Sequence, residues 1–223
     1  MVRAVDDTDL CVRFQNLQSN VFYSRFGTKE FSSLKIDWSQ NENVYVFYAT
    51  RIDSDEILGG FRVHISDKAH ALPVEVGIGS DDERIYDIVD DLAKTGCAEI
   101  CALWMSKEGF SYGLEAIDLL RGAIYLCHKK NIENVLSLVG PTSINFVEFY
   151  GAEIFTKIGN KGAFHYPNEN FEFYVSNVKI SVVRDLVDNS EKEILTELYD
   201  NPYCKFVSEK RGKPKTLIYD LEK

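Results

Sequence analysis

Residues 98–159 alternate between two hydrophobic periods. AEICALWMSKE (98–108) is an apolar, β-prone run and predicts a strand, whereas GLEAIDLLRGAIYLCHKKN (113–131) places Leu114, Ile117, Leu120, Ile124 and Cys127 on one helical stripe. VLSLVG (135–140) predicts a second strand, and INFVEFYGAEIF (144–155) a shorter helix running into a third. Glu115 and Asp118 stand near the start of the long helix and His128, Lys129 and Lys130 at its end, the arrangement that complements a helix dipole.

The flanking pattern extends this picture. VYVFYATR (44–51) and ILGGFRVHI (57–65), joined by DSDE, predict an antiparallel hairpin. LPVE (72–75) follows, then Gly77-Ile78-Gly79, read as a turn because no dinucleotide fingerprint accompanies it. In DDERIYDIVDDLAKTG (81–96), Asp81 or Asp82 caps a helix whose apolar face is Ile85, Ile88, Val89 and Leu92, with Gly96 ending it. Residues 10–14 predict a short strand, and 19–34, with Val21, Phe22, Phe26 and Phe31, one or two short helices. FEFYVSNV (171–178) predicts the last strand. Beyond it, Asn189 or Ser190 caps a helix carrying Ile194, Leu195, Leu198 and Tyr199. The reading is a mixed α/β domain over 1–178 with a C-terminal extension, 179–223, made of an amphipathic helix and a basic tail.

Composition narrows the function. The chain has 223 residues, 45% of them apolar, and a net charge of −10, which disfavours nucleic acid and anionic lipid as partners. No apolar run reaches membrane-spanning length, and MVRAVDDTDL lacks the basic start and apolar core of a signal peptide, so a cytoplasmic protein is expected. The five cysteines are expected as thiols. Alternation puts Cys97, Glu99 and Cys101 on one strand face, but no Cys-x-x-Cys or His-x-His partner lies elsewhere, so no metal is expected. Against the acidic background, residues 204–215 gather Lys205, Lys210, Arg211, Lys213 and Lys215 against Glu209. That run is either a solvated tail or a receiver for an acidic carrier protein or a CoA phosphate.

The chain resembles the GNAT acyltransferase superfamily, and within it the branch of autoinducer (acyl-homoserine lactone) synthases and long-chain N-acyl amino acid synthases. The likeness covers about 10–178. It rests on Arg25 and Phe26 ahead of Trp38, on FYATRIDSDEILGGFRVHI, on LPVE, and on AEICALWM with LLRGAIYLCHKKNIENVLSL. It implies the GNAT fold: a mostly antiparallel twisted sheet with one splayed parallel strand pair and helices on both faces. It also implies an acyl-CoA or acyl-carrier-protein thioester as donor and a small-molecule amine, such as an amino acid, as acceptor. Two departures stand out. In the phosphate turn Ser111-Tyr112-Gly113-Leu114-Glu115-Ala116 keeps only the final small residue of the family pattern, and Glu115 would repel a pyrophosphate. On the central strand Ala102 replaces the arginine of the branch's Glu-x-x-Arg.

Amide formation from a thioester needs a base for the amine, stabilisation of the oxyanion, and a proton for the leaving thiolate. Glu99 is the candidate base, or else a carboxylate bonding across the sheet. Tyr150 stands where many GNAT enzymes carry a tyrosine acid, or is one of an aromatic core stripe with Phe146 and Phe149. The resemblance assigns backbone N–H groups of Leu103, Trp104 and Met105 to the oxyanion and those of Gly113, Leu114, Glu115 and Ala116 to the donor's phosphate. Arg62 matches an arginine of the branch that holds an acceptor carboxylate or a catalytic loop, with a surface salt bridge as the alternative. Arg25 and Trp38 are assigned to the acceptor side. His64, His70, His128 and His165 form no constellation and receive no role. An acetyl-CoA-dependent N-acetyltransferase and an inactive thioester- or protein-binding module are the competing readings.

Overall fold

The computed structural model describes residues 1–35, 37–67, 69–210 and 213–222. Its centre is a sheet of eight short and long strands: β1 (Val2–Arg3), β2 (Val44–Thr50), β3 (Ile57–Ile65), β4 (Cys97–Met105), β5 (Asn134–Val139), β6 (Glu153–Ile154), β7 (Ala163–His165) and β8 (Glu172–Lys179). The spatial order is β1-β2-β3-β4-β5-β8-β6, with β7 also on β8, and every pairing is antiparallel except β4 with β5.

The parallel pair follows from its connection. Between β4 and β5 the chain forms α5 (Lys107–Ser111) and α6 (Ala116–Lys129), the kind of crossover that returns a strand in the same direction. The pair is in register only at Cys97 with Asn134, Ala98 with Val135 and Glu99 with Leu136. Past Glu99 the strands part. There β4 stays with β3 through a bulge: Arg62 opposes Cys101 and Gly60 opposes Trp104, so Ala102 and Leu103 together face Phe61. Ala102 takes φ 62°, a left-handed conformation costing an alanine roughly 1 kcal/mol.

Consecutive strand residues face opposite sides, and two cores result. Val46, Trp104 and Leu136 pack under α1 (Thr8–Phe26), α2 (Ser32–Lys35), α3 (Pro73–Ile78) and α4 (Arg84–Ala93). Phe47, Phe61 and Val135 pack under α6, α8 (Ile180–Leu186) and α9 (Asn189–Asp200), while α7 (Ile144–Glu148) follows β5. Among the described residues no helix is long and apolar enough to cross a membrane.

Several sequence expectations are corrected. Residues 10–14 are not a strand. They belong to the 19-residue α1, capped by the Asp7 carboxylate accepting from Leu10 N–H at 2.8 Å and ended by Gly27 at φ 68°. Its buried residues Leu10, Cys11, Phe14, Gln18 and Phe22 follow a helical spacing whose polar member, Gln18, hides the stripe. Gly77-Ile78-Gly79 is not a turn but the end of α3, where Gly77 lets Ser32 and Tyr166 approach; a Cβ there would lie 3.0 Å from the Tyr166 ring. The α9 cap is Asp188, accepting from Glu191 N–H at 2.9 Å. The strand ending at Lys179 is not the last.

The basic segment forms a separate hairpin, β9 (Tyr203–Lys210) with β10 (Lys213–Asp220). Arg211 and the side chains of Lys210 and Lys213 lie outside the described residues. The hairpin is moored to α6 and α9 by a buried polar network. Arg121 donates to Glu191 at 2.6 and 2.9 Å and to Asp118 at 3.1 Å, Lys215 donates to Asp118 at 2.8 Å, and Tyr219 donates to the Asp118 carbonyl at 2.9 Å. Two cations, Arg121 and Lys215, face the buried carboxylates of Asp118 and Glu191, with the more exposed Glu115 carboxylate 3.6 Å from Lys215. Arg121→Ala leaves both carboxylates short of a partner in the interior and is expected to cost about 3–5 kcal/mol, read from urea unfolding; a loss under 1 kcal/mol would contradict this mooring.

Candidate active site

Where β4 and β5 diverge, a cavity of about 450 Å³ passes through the sheet. Its lining draws on both cores: Leu120 of α6, with Ile100 and Leu103 of β4 packed against the same core, from one, and Phe22, Phe31 and Tyr166 from the other. Most of the wall is apolar and aromatic, with Phe26, Phe146, Phe171 and Phe173 adding to it. Phe26, Phe31, Tyr166 and Phe173 meet edge-on or tilted at centroid distances of 5.1–6.5 Å, which fixes that wall as a unit.

Glu99 lies at the last registered pair, 2% exposed, on the cavity's edge. Its Oε2 accepts from Val74 N–H at 2.7 Å. The sequence explains this bond: Pro73 opens α3 without an N–H, and the Leu72 N–H is taken by Glu75, so Val74 offers the next free donor of that turn. Burial pushes the Glu99 carboxyl up to about 8, against the lowering effects of the Val74 bond and of Arg62. Glu99 therefore holds a proton at neutral pH and releases it in mild alkali.

Arg62 is fully buried directly behind the cavity wall. It donates through Nη2 to the Ser33 carbonyl, lies 4.1 Å from the Trp38 ring centroid, and comes within 3.9 Å of Cys101 Sγ. Its Nε and Nη1 have no acceptor, and among the described residues no carboxylate forms a salt bridge with it. The surface salt bridge is thus excluded: Arg62 instead holds the start of α2 through the Ser33 carbonyl. Gln18, from α1, donates to Ser33 Oγ at 3.3 Å, so the Ser32–Ser33 wall is pinned from two sides. Burial also pushes the cavity-lining Cys101 thiol up to about 12, leaving it an inert wall group.

Of the residues singled out in the sequence, the cavity gathers Glu99, Arg25 and Leu103. Arg25 is exposed at its rim, donating to Thr142 Oγ1 at 3.2 Å. Trp38 is buried behind Arg62, and Trp104 packs edge-on against Phe14 at 5.6 Å; neither lines the cavity, nor does Met105. Tyr150 is corrected. It sits in the opposite core, 2% exposed, and donates its hydroxyl to Glu191 at 2.8 Å, which together with burial pushes its phenol well above the usual value. Its ring packs there against Phe149, while Phe146 lines the cavity.

The phosphate turn is also corrected. Gly113, Leu114, Glu115 and Ala116 do not line the cavity. Asp118 accepts from Glu115 N–H at 2.9 Å, Glu115 accepts from Asp118 N–H, and Lys215 of β10 reaches both carboxylates at 2.8 and 3.6 Å. The start of α6 is closed by its own capping box and by the hairpin.

Sequence reasoning missed Tyr166, Ser32 and Ser33. The Tyr166 hydroxyl accepts from Ser32 N–H at 2.6 Å and lies 2.7 Å from Ser32 Oγ, both facing the cavity. Nothing local marks Tyr166 among twelve tyrosines. The alternation of Phe171 and Phe173 was the readable sign of a second aromatic wall.

No family sequence model matches the chain, nor does any curated protein sequence. Among solved structures, FeeM, an N-acyl amino acid synthase from uncultured soil microbes, superposes with a TM-score of 0.63 at 12% identity, over 83% of this chain and 93% of FeeM. The chain has the GNAT fold. BjaI, a CoA-dependent acyl-homoserine lactone synthase, is similar with a TM-score of 0.55 at 13% identity, over 90% of this chain and 88% of its own. TofI, solved with an inhibitor and MTA, gives 0.54 at 10% identity, over 82% and 93%. The splayed strand pair of this GNAT fold lies where the resemblance implied it.

The raised Glu99 carboxyl has a consequence for stability. The folded chain keeps the proton to about pH 8, whereas the unfolded chain releases it near the ordinary value of about 4.3. Glu99 thus favours the fold fully below that ordinary value, and its contribution is lost as pH rises through 8. The wild type should lose a few kcal/mol relative to Glu99→Gln between about pH 5 and 9, measured as paired denaturation curves. Parallel pH profiles would show that Glu99 is not buried as a neutral acid.

Proposed function

We propose that the chain is an N-acyltransferase moving an acyl group from a pantetheine thioester to the amine of a small acceptor such as an amino acid. The observation that carries this reading is the through-sheet cavity at the β4–β5 divergence, apolar along its walls, with Glu99 at the point where the strands part. The acyltransferase and synthase names of the structural neighbours support it.

Glu99, once ionised, takes the amine proton while Val74 N–H holds its other oxygen. Ala102 and Leu103 have no registered partner on either neighbouring strand, so the bulge offers main-chain polar groups to the thioester carbonyl and the pantetheine amides. Arg25 at the rim and Arg62 behind Ser33 serve the acceptor side, Arg62 by holding the wall. The aromatic lining favours an acyl chain longer than acetyl. The carboxylates of Glu115 and Asp118 at the start of α6 oppose a CoA pyrophosphate, which favours a donor carried by an acyl carrier protein.

Thiol release from acyl-CoA and acyl carrier protein, each supplied with pooled amino acids, tests the reading. The wild type should turn over, with kcat/KM rising through about pH 8. Glu99→Gln should lower it by roughly 100-fold or more and abolish that rise without destabilising the fold at neutral pH. An unchanged rate in the variant would remove Glu99 from the chemistry.

A further inference from the structure

The correction at Tyr150 leaves the proposed reaction without a proton for its leaving thiolate, and the cavity wall contains a group suited to supply one. Tyr166 is a buried phenol that lines the cavity, and α3 abuts both it, at Gly77, and Glu99, through Val74 N–H, which places it at the Glu99 end. Its oxygen accepts the Ser32 N–H at 2.6 Å. The phenol and the Ser32 hydroxyl lie 2.7 Å apart and either can donate; when the phenol donates, the Ser32 proton, which has no other acceptor among the hydrogen bonds of the described residues, is left for the cavity. Burial pushes the phenol up to about 12, while both Ser32 bonds pull it down by favouring the phenolate.

The local packing serves this pair. Gly77 of α3 is the close-approach point: a Cβ there would meet the Tyr166 ring at 3.0 Å and Ser32 Oγ at 3.1 Å. Arg62 and Gln18 fix the neighbouring Ser33. The Ser32 hydroxyl thus meets Tyr166 directly, while α1 and β3 hold its neighbour Ser33 and α3 packs close behind the pair.

We propose that Ser32 and Tyr166 form the proton-donating pair of the site. The inference rests on the acyltransferase reading and adds the acid to it. As the tetrahedral intermediate collapses, the carbon–sulfur bond breaks and sulfur takes the bonding pair. The Ser32 Oγ proton passes to that sulfur, the Tyr166 proton passes to Ser32 Oγ, and the resulting phenolate is reprotonated by Glu99, which has just received the amine proton. Protons and charge balance without any further reactant. Tyr150, bound to Glu191 in the other core, cannot take this part without breaking the hairpin's mooring.

A leaving group that needs no proton separates this role from packing. Turnover is compared between the acyl thioester the wild type accepts, on CoA or on acyl carrier protein, and the same donor with selenium in place of sulfur, whose selenol is far more acidic and departs unprotonated. Tyr166→Phe should slow the sulfur donor by roughly 100-fold and the selenium donor by less than threefold, with KM for the acceptor little changed. Ser32→Ala keeps the N–H bond to Tyr166 and the aromatic wall, so it should fold normally and show the same selective loss, which guards against a Phe variant that merely folds badly. Equal losses on both donors, or no loss on either in a folded variant, would overturn the pair. If the wild type itself releases no thiol from acyl-CoA or from acyl carrier protein, it is the acyltransferase reading that fails, a result distinct from an active wild type with indifferent variants.

Discussion

The structure depends on how β4 divides its hydrogen bonds between two neighbours. It stays with β3 along its length, through a bulge that forces Ala102 into a left-handed conformation, and it holds β5 for only three residue pairs. A strand that leaves one neighbour exposes main-chain donors and acceptors that must find partners elsewhere. Here they face a cavity instead of a core, and every other feature of the site follows from that opening. The two cores stop on either side of it, the aromatic wall closes around it, and Glu99 stands at its apex.

The same opening sets the electrostatics. Glu99 of β4 and Arg62 of β3 lie on one face of the sheet, both removed from water, yet they do not form a salt bridge: the carboxyl oxygen is met by the Val74 amide, and the guanidinium by the Ser33 carbonyl and the Trp38 ring. Desolvation outweighs their mutual attraction, so the acid is kept neutral up to about pH 8 and the cation stays weakly compensated. A fixed proton-accepting site in mild alkali is useful to amine chemistry and costly to the fold. The opposite core shows the contrasting solution, in which Arg121, Lys215, Asp118 and Glu191 satisfy one another and moor the C-terminal hairpin.

Local periodicity made much of this legible. The β2–β3 hairpin, β4, α6, β5 and α7 could be read from alternation and from helical stripes, and Glu99 stood out because a carboxylate on an apolar strand must be explained. What could not be read was set by distant contacts. Residues 10–14 look like a strand because a five-residue apolar window cannot show that Gln18 and Phe22 continue one helical face. Tyr150 looked like an acid because sequence spacing shows where a tyrosine stands along the chain and not which core its ring enters; Glu191, 41 residues on, decides it. Tyr166 and Ser32, 134 residues apart, leave no local trace of their pairing. The basic run at 204–215 read as a tail since its partners, Asp118 and Glu115, lie on a helix almost a hundred residues earlier.

The central claim is that an acyl chain occupies the gap between β4 and β5. Photolabelling with an acyl-pantetheine bearing a diazirine along its chain, followed by peptide mapping, tests it most directly. The account predicts cross-links to the wall formed by Phe22, Phe31, Leu138, Phe146 and Phe173, suppressed by excess unlabelled acyl-pantetheine. Cross-links confined to the surface, or to the spaces beneath the C-terminal hairpin, would contradict it.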